Sequence, residues 1–237
     1  MSDSFGDTAS RPRGRGRGRR PASYRPRRGG PMIPIMTELL AFHRTAMATA
    51  VDLVDRVERF DLATPCAGWD LGRLLAHMTA QNLGFAAAAR GEAFDPGRWA
   101  EVPSTPRAFA DSAAEVVAAF AAEGAAEREW PLLAGADQEV RVPGGTAIGF
   151  HFIDYVVHSW DVGVSIGRPP VFEDALLQAV LPLAFEVPLT GPARTGPYAP
   201  FAPAVMQVPD SGPMEQVLAV LGRDPNWKAP SPEGDGA

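Results

Sequence analysis

The chain has 237 residues, 46% of them hydrophobic and 21% charged, which is enough apolar surface for a globular core. It has no apolar run near the ~20 residues a membrane span needs, no apolar stretch after its first basic residues that would read as a secretory signal, and one cysteine, Cys66. An internal disulfide and a multi-cysteine metal site are excluded, and a cytoplasmic address is the expectation. The net charge of −6 is unevenly spread: residues 1–30 hold nine arginines against two acids, and the remainder has 13 basic against 26 acidic residues. The acidic body argues against nucleic-acid binding through its own surface, which leaves such a role to the Arg/Gly-rich tail alone.

In chain order, residues 1–31 lack apolar periodicity and read as a disordered tail, either a solvated extension or an arm for a phosphate backbone. Leu39, Leu40, Phe42, Ala46, Ala50, Leu53, Val54 and Val57 recur at helical spacing and predict a helix over 35–59. A loop holding Pro65 and Cys66 follows. Asp70 can cap a second helix running to about Arg90. A Gly/Pro loop over 91–106 leads to an Ala-rich third helix, 107–122. Gln138 to Val142 alternates and predicts a short strand. A fourth helix is expected over 147–166, ended by Gly167-Arg168-Pro169-Pro170. A fifth is expected over 173–187, bent at Pro182. Seven prolines between Pro188 and Pro213 require an extended, irregular segment, and a last short helix spans about 214–221. Phe201, Val205, Met206 and Val208 in that segment need apolar cover, so it should lie across the bundle.

The segment His151-Phe-Ile-Asp154-Tyr-Val-Val-His158-Ser-Trp-Asp161 places His151, Asp154 and His158 within about a 60° arc of the fourth helix, with Asp161 extending the stripe. The other faces are apolar, as in a helix at the centre of a bundle. Ionisable groups there must be paired, hydrogen-bonded or metal-bound. Asp154 and His158, four apart, suit a shared cation and a buried ion pair equally well. A metal would need a third ligand. His77 is the best remaining of the four histidines, although its place at the edge of its helix's apolar face also suits an exposed side chain. His151 reads as a supporting or core histidine, and Asp161 as a residue that orients an imidazole. Cys66 reads as a small buried residue. If the span to His77 were mostly helical, the two Cα atoms would stand roughly 16 Å apart, too far to share a metal.

Four motifs recur in order: Thr64-Pro-Cys-x-x-Trp69-Asp, Leu74-Leu-x-His77, Asp154-Tyr-Val-Val-His158-Ser-Trp-Asp161 and Leu221-Gly-Arg-Asp-Pro225-x-Trp227. Together they resemble actinobacterial proteins related to the metal-binding domain of the mycothiol-dependent maleylpyruvate isomerase, within the DinB-like superfamily. The resemblance covers about residues 36–228. It implies a DinB-like four-helix bundle; with the segments read above, the expected fold is all-α, with an irregular Pro-rich C-terminal segment and a short terminal helix. The implied domain plan is a tail (1–31), a metal-binding bundle (32–170) and a C-terminal part packed on it (171–237). It further implies one divalent metal, typically zinc, on His77, Asp154 and His158, with Asp154 standing where the family often has the longer glutamate. Three ligands would leave a coordination position open to a low-molecular-weight thiol, mycothiol in the isomerase relatives, and to a substrate. Gln81 and Asn82, one turn past His77, are the nearest polar residues for contacting a bound ligand. The expected function is a metal-dependent, thiol-using transferase or isomerase. The rivals are a non-catalytic metal-binding or sensing module and a nucleic-acid accessory protein working through the tail.

Overall fold

The computed structural model describes residues 35–191, 194–196, 199–205 and 211–230. The tail 1–31, and with it the expectation of disorder there, lies outside the described residues, as do Met206 and Val208. Six α-helices are present among the described residues: α1 (Met36–Asp55), α2 (Leu71–Ala89), α3 (Pro106–Phe120), α4 (Gly144–Ser165), α5 (Asp174–Glu186) and α6 (Pro213–Val220). α1 packs on α4, α4 on α2, α2 on α3 and α3 back on α1, so these four close a ring. α5 leans on α4 and carries α6.

The expectation of an all-α, four-helix chain is corrected on two counts: six helices are present, and a hairpin is inserted before α4. β1 (Glu129–Ala134) pairs antiparallel with β2 (Gln138–Pro143), with Trp130 opposite Val142. β2 is the predicted strand. β1 escapes prediction because its inner residues, Trp130, Pro131 and Leu132, are all buried, so no alternation marks it. Pro131 is tolerated because a two-stranded ribbon has only edges. Trp130 is fully buried, and its indole N–H donates to the Ala125 carbonyl at 2.8 Å, which ties the start of the hairpin to the turn after α3.

The helix starts follow from local chemistry. Asp70 caps α2 by accepting from the Arg73 N–H at 2.8 Å, and Thr105 caps α3 by accepting from the Ala108 N–H, with Pro106 in the first turn. α4 is the central helix. Its buried residues face every side and include Phe152, Ile153, Tyr155, Val156, Val157 and Trp160. Phe201, Met214 and Trp227 pack against the core, and Val217, Leu218, Val220 and Leu221 are buried in it, so α6 and its flanks cover the bundle. No helix among the described residues is long and apolar enough to cross a membrane.

Candidate metal centre

α2 and α4 cross so that His77 meets the pair on α4. One donor atom from each of His77, Asp154 and His158 lies within 4.8 Å of the other two. His158 Nε2 stands 3.2 Å from Asp154 Oδ1. Ligands about 2.1 Å from a tetrahedral zinc are separated by roughly 3.4 Å, so this pair already has the spacing of a shared cation. The N, N, O donor set suits zinc and similar divalent ions.

Both imidazoles are held from behind by a carboxylate. His158 Nδ1 bonds Asp161 Oδ2 at 2.9 Å, and His77 Nδ1 bonds Glu101 Oε1 at 3.0 Å. Each carboxylate has an arginine behind it. The Arg223 guanidinium donates from Nε to Asp161 Oδ1 and from Nη2 to Oδ2, both at 3.0 Å, while Arg73 Nε lies 3.6 Å from Glu101 Oε2. With each Nδ1 donating to a carboxylate, Nε2 is the nitrogen left to other partners, and that of His158 carries its second proton toward Asp154. Trp69 meets the His77 ring edge-on at 5.0 Å, and the Arg73 guanidinium lies 4.5 Å from the Trp69 ring centre.

Burial works against charge here and is overcome by pairing. Asp161 is fully buried, which alone would raise its pKa, but Arg223 and His158 hold it below the usual carboxylate range. Burial disfavours the His158 imidazolium, yet Asp154 and Asp161 on either side push its pKa well above the ordinary value. Asp154 is lowered chiefly by His158, against burial, and Glu101 chiefly by its bond to His77. The site is thus held as alternating charges, with the His158 imidazolium between Asp154 and Asp161 and the Arg223 guanidinium beyond.

The remaining sequence candidates separate from the triad. His151 is a core residue: its Nδ1 lies 2.9 Å from His43 Nε2, its ring stacks on Tyr155 at 4.4 Å, and Phe85 and Phe120 meet it edge-on. Asn82 is fully buried and donates to Ser112 Oγ at 2.9 Å, while its Oδ1 has no partner among the described residues. Gln81 is half-buried, one turn past His77. Cys66 packs beside Asp161. Helical structure begins only at Leu71, and the turn closed by Thr64 N–H to the Trp69 carbonyl folds the cysteine inward. Its Sγ lies 3.3 Å from Asp161 Oδ2, on the Nδ1 side of His158, outside the triad.

Sequence reasoning missed Glu101 and the role of Arg223. Glu101 sits in a loop with no periodicity, and its only local mark is confinement between Trp99 and Pro103. Arg223 was visible as part of the last motif, but its partner is 62 residues away.

The sequence profile of the mycothiol maleylpyruvate isomerase N-terminal domain matches residues 41–163, which include α2, most of α4 and all three triad residues. The chain belongs to that family. Uncharacterized proteins from two strains of Mycobacterium tuberculosis are each 32% identical over 197 residues, 79% of this chain and 98% of theirs. A crystal structure of a mutant of the mycothiol-dependent maleylpyruvate isomerase superposes with a TM-score of 0.51 at 18% identity, covering 65% of this chain and 70% of that one. The family's fold is therefore shared, while Glu101 lies in a loop within the matched range and Arg223 lies beyond it.

Proposed function

We propose that this chain is a divalent-metal protein, with zinc as the ion, that uses mycothiol or a similar small thiol in an isomerase- or transferase-type reaction. The convergence of His77, Asp154 and His158 carries this reading. Both imidazoles are pre-set by carboxylates, and the His77 and Asp154 side chains remain 20% and 23% exposed. A structural zinc site is closed by four protein ligands, whereas three ligands with a solvent-facing flank are the pattern of an open, exchangeable site. Membership of a family named for a mycothiol-dependent isomerase supports the thiol.

His77 Nε2, Asp154 Oδ1 and His158 Nε2 are the atoms assigned to the ion. A divalent ion held there supplies Lewis acidity, which keeps a coordinated thiol deprotonated at neutral pH. Asp161 and Glu101 hold the two imidazoles in the tautomer that presents Nε2. Gln81 is the residue assigned to contact the incoming thiol. Arg73, held over Trp69 beside His77, places a positive charge next to that imidazole.

Cobalt-substituted protein tests the proposal. Addition of mycothiol should produce sulfur-to-cobalt charge-transfer absorption that is equally strong in Cys66→Ser. A cobalt spectrum indifferent to any added thiol would overturn the thiol-using part of the reading.

A further inference from the structure

His158 is the shared member of two ligand sets. Its Nε2 belongs to the triad, and its Nδ1 faces a second group made by Asp161 and Cys66. In that second group Cys66 Sγ is 3.3 Å and His158 Nδ1 2.9 Å from the same Asp161 oxygen, Oδ2, and one donor atom from each residue lies within 4.8 Å of the others. Sulfur, imidazole nitrogen and carboxylate form a zinc-type donor set, and a thiolate is a softer and stronger zinc ligand than the carboxylate of the triad. By donor chemistry alone, the wrong side of His158 is the more attractive one.

A cation already sits there. The Arg223 guanidinium reaches both oxygens of Asp161 at 3.0 Å and, through Nη2, Cys66 Sγ at 3.1 Å. The Cys66 thiol donates to Asp161 and accepts from Arg223, so its sulfur is fully engaged. Arginine keeps its charge at every physiological pH and offers a planar fork of donors, so this cation does not leave by titration. It is delivered by a fixed piece of backbone. α6 ends in a turn in which Gly222 N–H bonds the Ala219 carbonyl and Arg223 N–H bonds the Leu218 carbonyl, with Gly222 at φ 79°. Arg223 itself is 7% exposed.

We propose that Arg223 is the resident cation of this Cys66–Asp161–His158 set, and that its function is to exclude metal from the cysteine side and confine it to Nε2 of His158. Without the guanidinium, Asp161 would be a buried carboxylate lacking its permanent counter-charge and facing only a thiol and an exchangeable imidazole proton, which is the setting that recruits a divalent ion. A metal bound there would take His158 Nδ1, break its bond to Asp161 and tie the site up with the protein's own sulfur.

Cobalt titration of Arg223→Gln, which keeps a hydrogen-bonding amide but removes the charge, tests this. Without any added thiol the parent should show no sulfur-to-cobalt charge transfer. Arg223→Gln should show a band worth one cysteine–cobalt bond per chain, and Cys66→Ser in that background should abolish it. Arg223→Lys covers only one of the two donors and should gain the band at higher cobalt concentration, which keeps the test available if Arg223→Gln does not fold. A thiol-free parent spectrum with Cys66-dependent charge transfer would overturn the proposal. So would folded Arg223 variants that stay silent at saturating cobalt. The triad serves here only as the comparator. A parent that binds no cobalt would defeat the metal reading of the triad and the confinement to Nε2 with it, while the band in the Arg223 variants would still decide whether the guanidinium keeps metal off the cysteine side.

Discussion

The buried imidazole pair makes the fold acid-sensitive in a window of its own. His43 and His151 are each 1% exposed and bonded to one another, and His43 Nδ1 and His151 Nε2 have no partner among the described residues. Burial, with help from Arg44, depresses the His43 pKa from 6.5 to about 3, and burial together with His43 drives His151 down as well. A histidine that stays neutral in the fold but titrates normally when unfolded stabilises fully above the unfolded pKa. That stability drains away as pH falls from 6.5 towards the folded value. Between pH 7 and pH 5 the unfolded state gains about 2 kcal/mol from His43 alone, at ~1.4 kcal/mol per pH unit below 6.5. Asp154, Asp161 and Glu101, all lowered, lose their contribution only at more acid pH. His158, raised, acts in the opposite sense and cancels when two proteins are compared. His43→Gln keeps an amide near the Nε2 position and removes the titration. Urea denaturation of metal-free protein at pH 7 and pH 5 should show the parent losing about 2 kcal/mol more than His43→Gln across that interval. Equal losses in the two proteins would refute the claim that His43 is held neutral.

Three further perturbations follow from the packing. Glu101→Ala should weaken metal binding by about 10- to 100-fold, read by competition with a chromophoric chelator, and leave the unfolding midpoint nearly unchanged because the side chain is 37% exposed; unchanged affinity would remove Glu101 from the site. Gly84→Ala should cost about 1–3 kcal/mol in urea denaturation, because a Cβ there collides with the Trp99 ring, which anchors the loop that carries Glu101; a neutral substitution would mean that Trp99 gives way freely. Gly222→Ala should destabilise by more than about 1 kcal/mol and weaken metal retention, since a Cβ there meets the Ala202 carbonyl and the residue sits at φ 79°; full retention would separate the turn from the site.

Helix periodicity located all six helices to within a few residues, because each carries its own apolar stripe and a cap or breaker such as Asp70 or Gly167. The i, i+4 spacing put Asp154 and His158 on one face, and the motif order added His77. What escaped detection depends on contacts between distant segments. β1 has a buried run with a proline in place of an alternating pattern, so only its pairing with β2 reveals it. His43 and His151 are 108 residues apart, and nothing local marks either as the other's partner. Cys66 meets Asp161 across 95 residues through the turn at Thr64–Trp69, a contact that no local pattern marks. The bond from Asn82 to Ser112, 30 residues away on α3, is likewise unmarked in the local sequence.

The central claim is that His77, Asp154 and His158 hold one divalent ion. Metal analysis of the purified parent and of His77→Ala, Asp154→Ala and His158→Ala, each checked for native helix content by circular dichroism, tests it most directly. Three ligands in a site that lacks a fourth from the protein leave no redundancy. The parent should therefore carry one equivalent of metal, and each folded variant should lose it through dialysis. Full occupancy in all three variants would contradict the account.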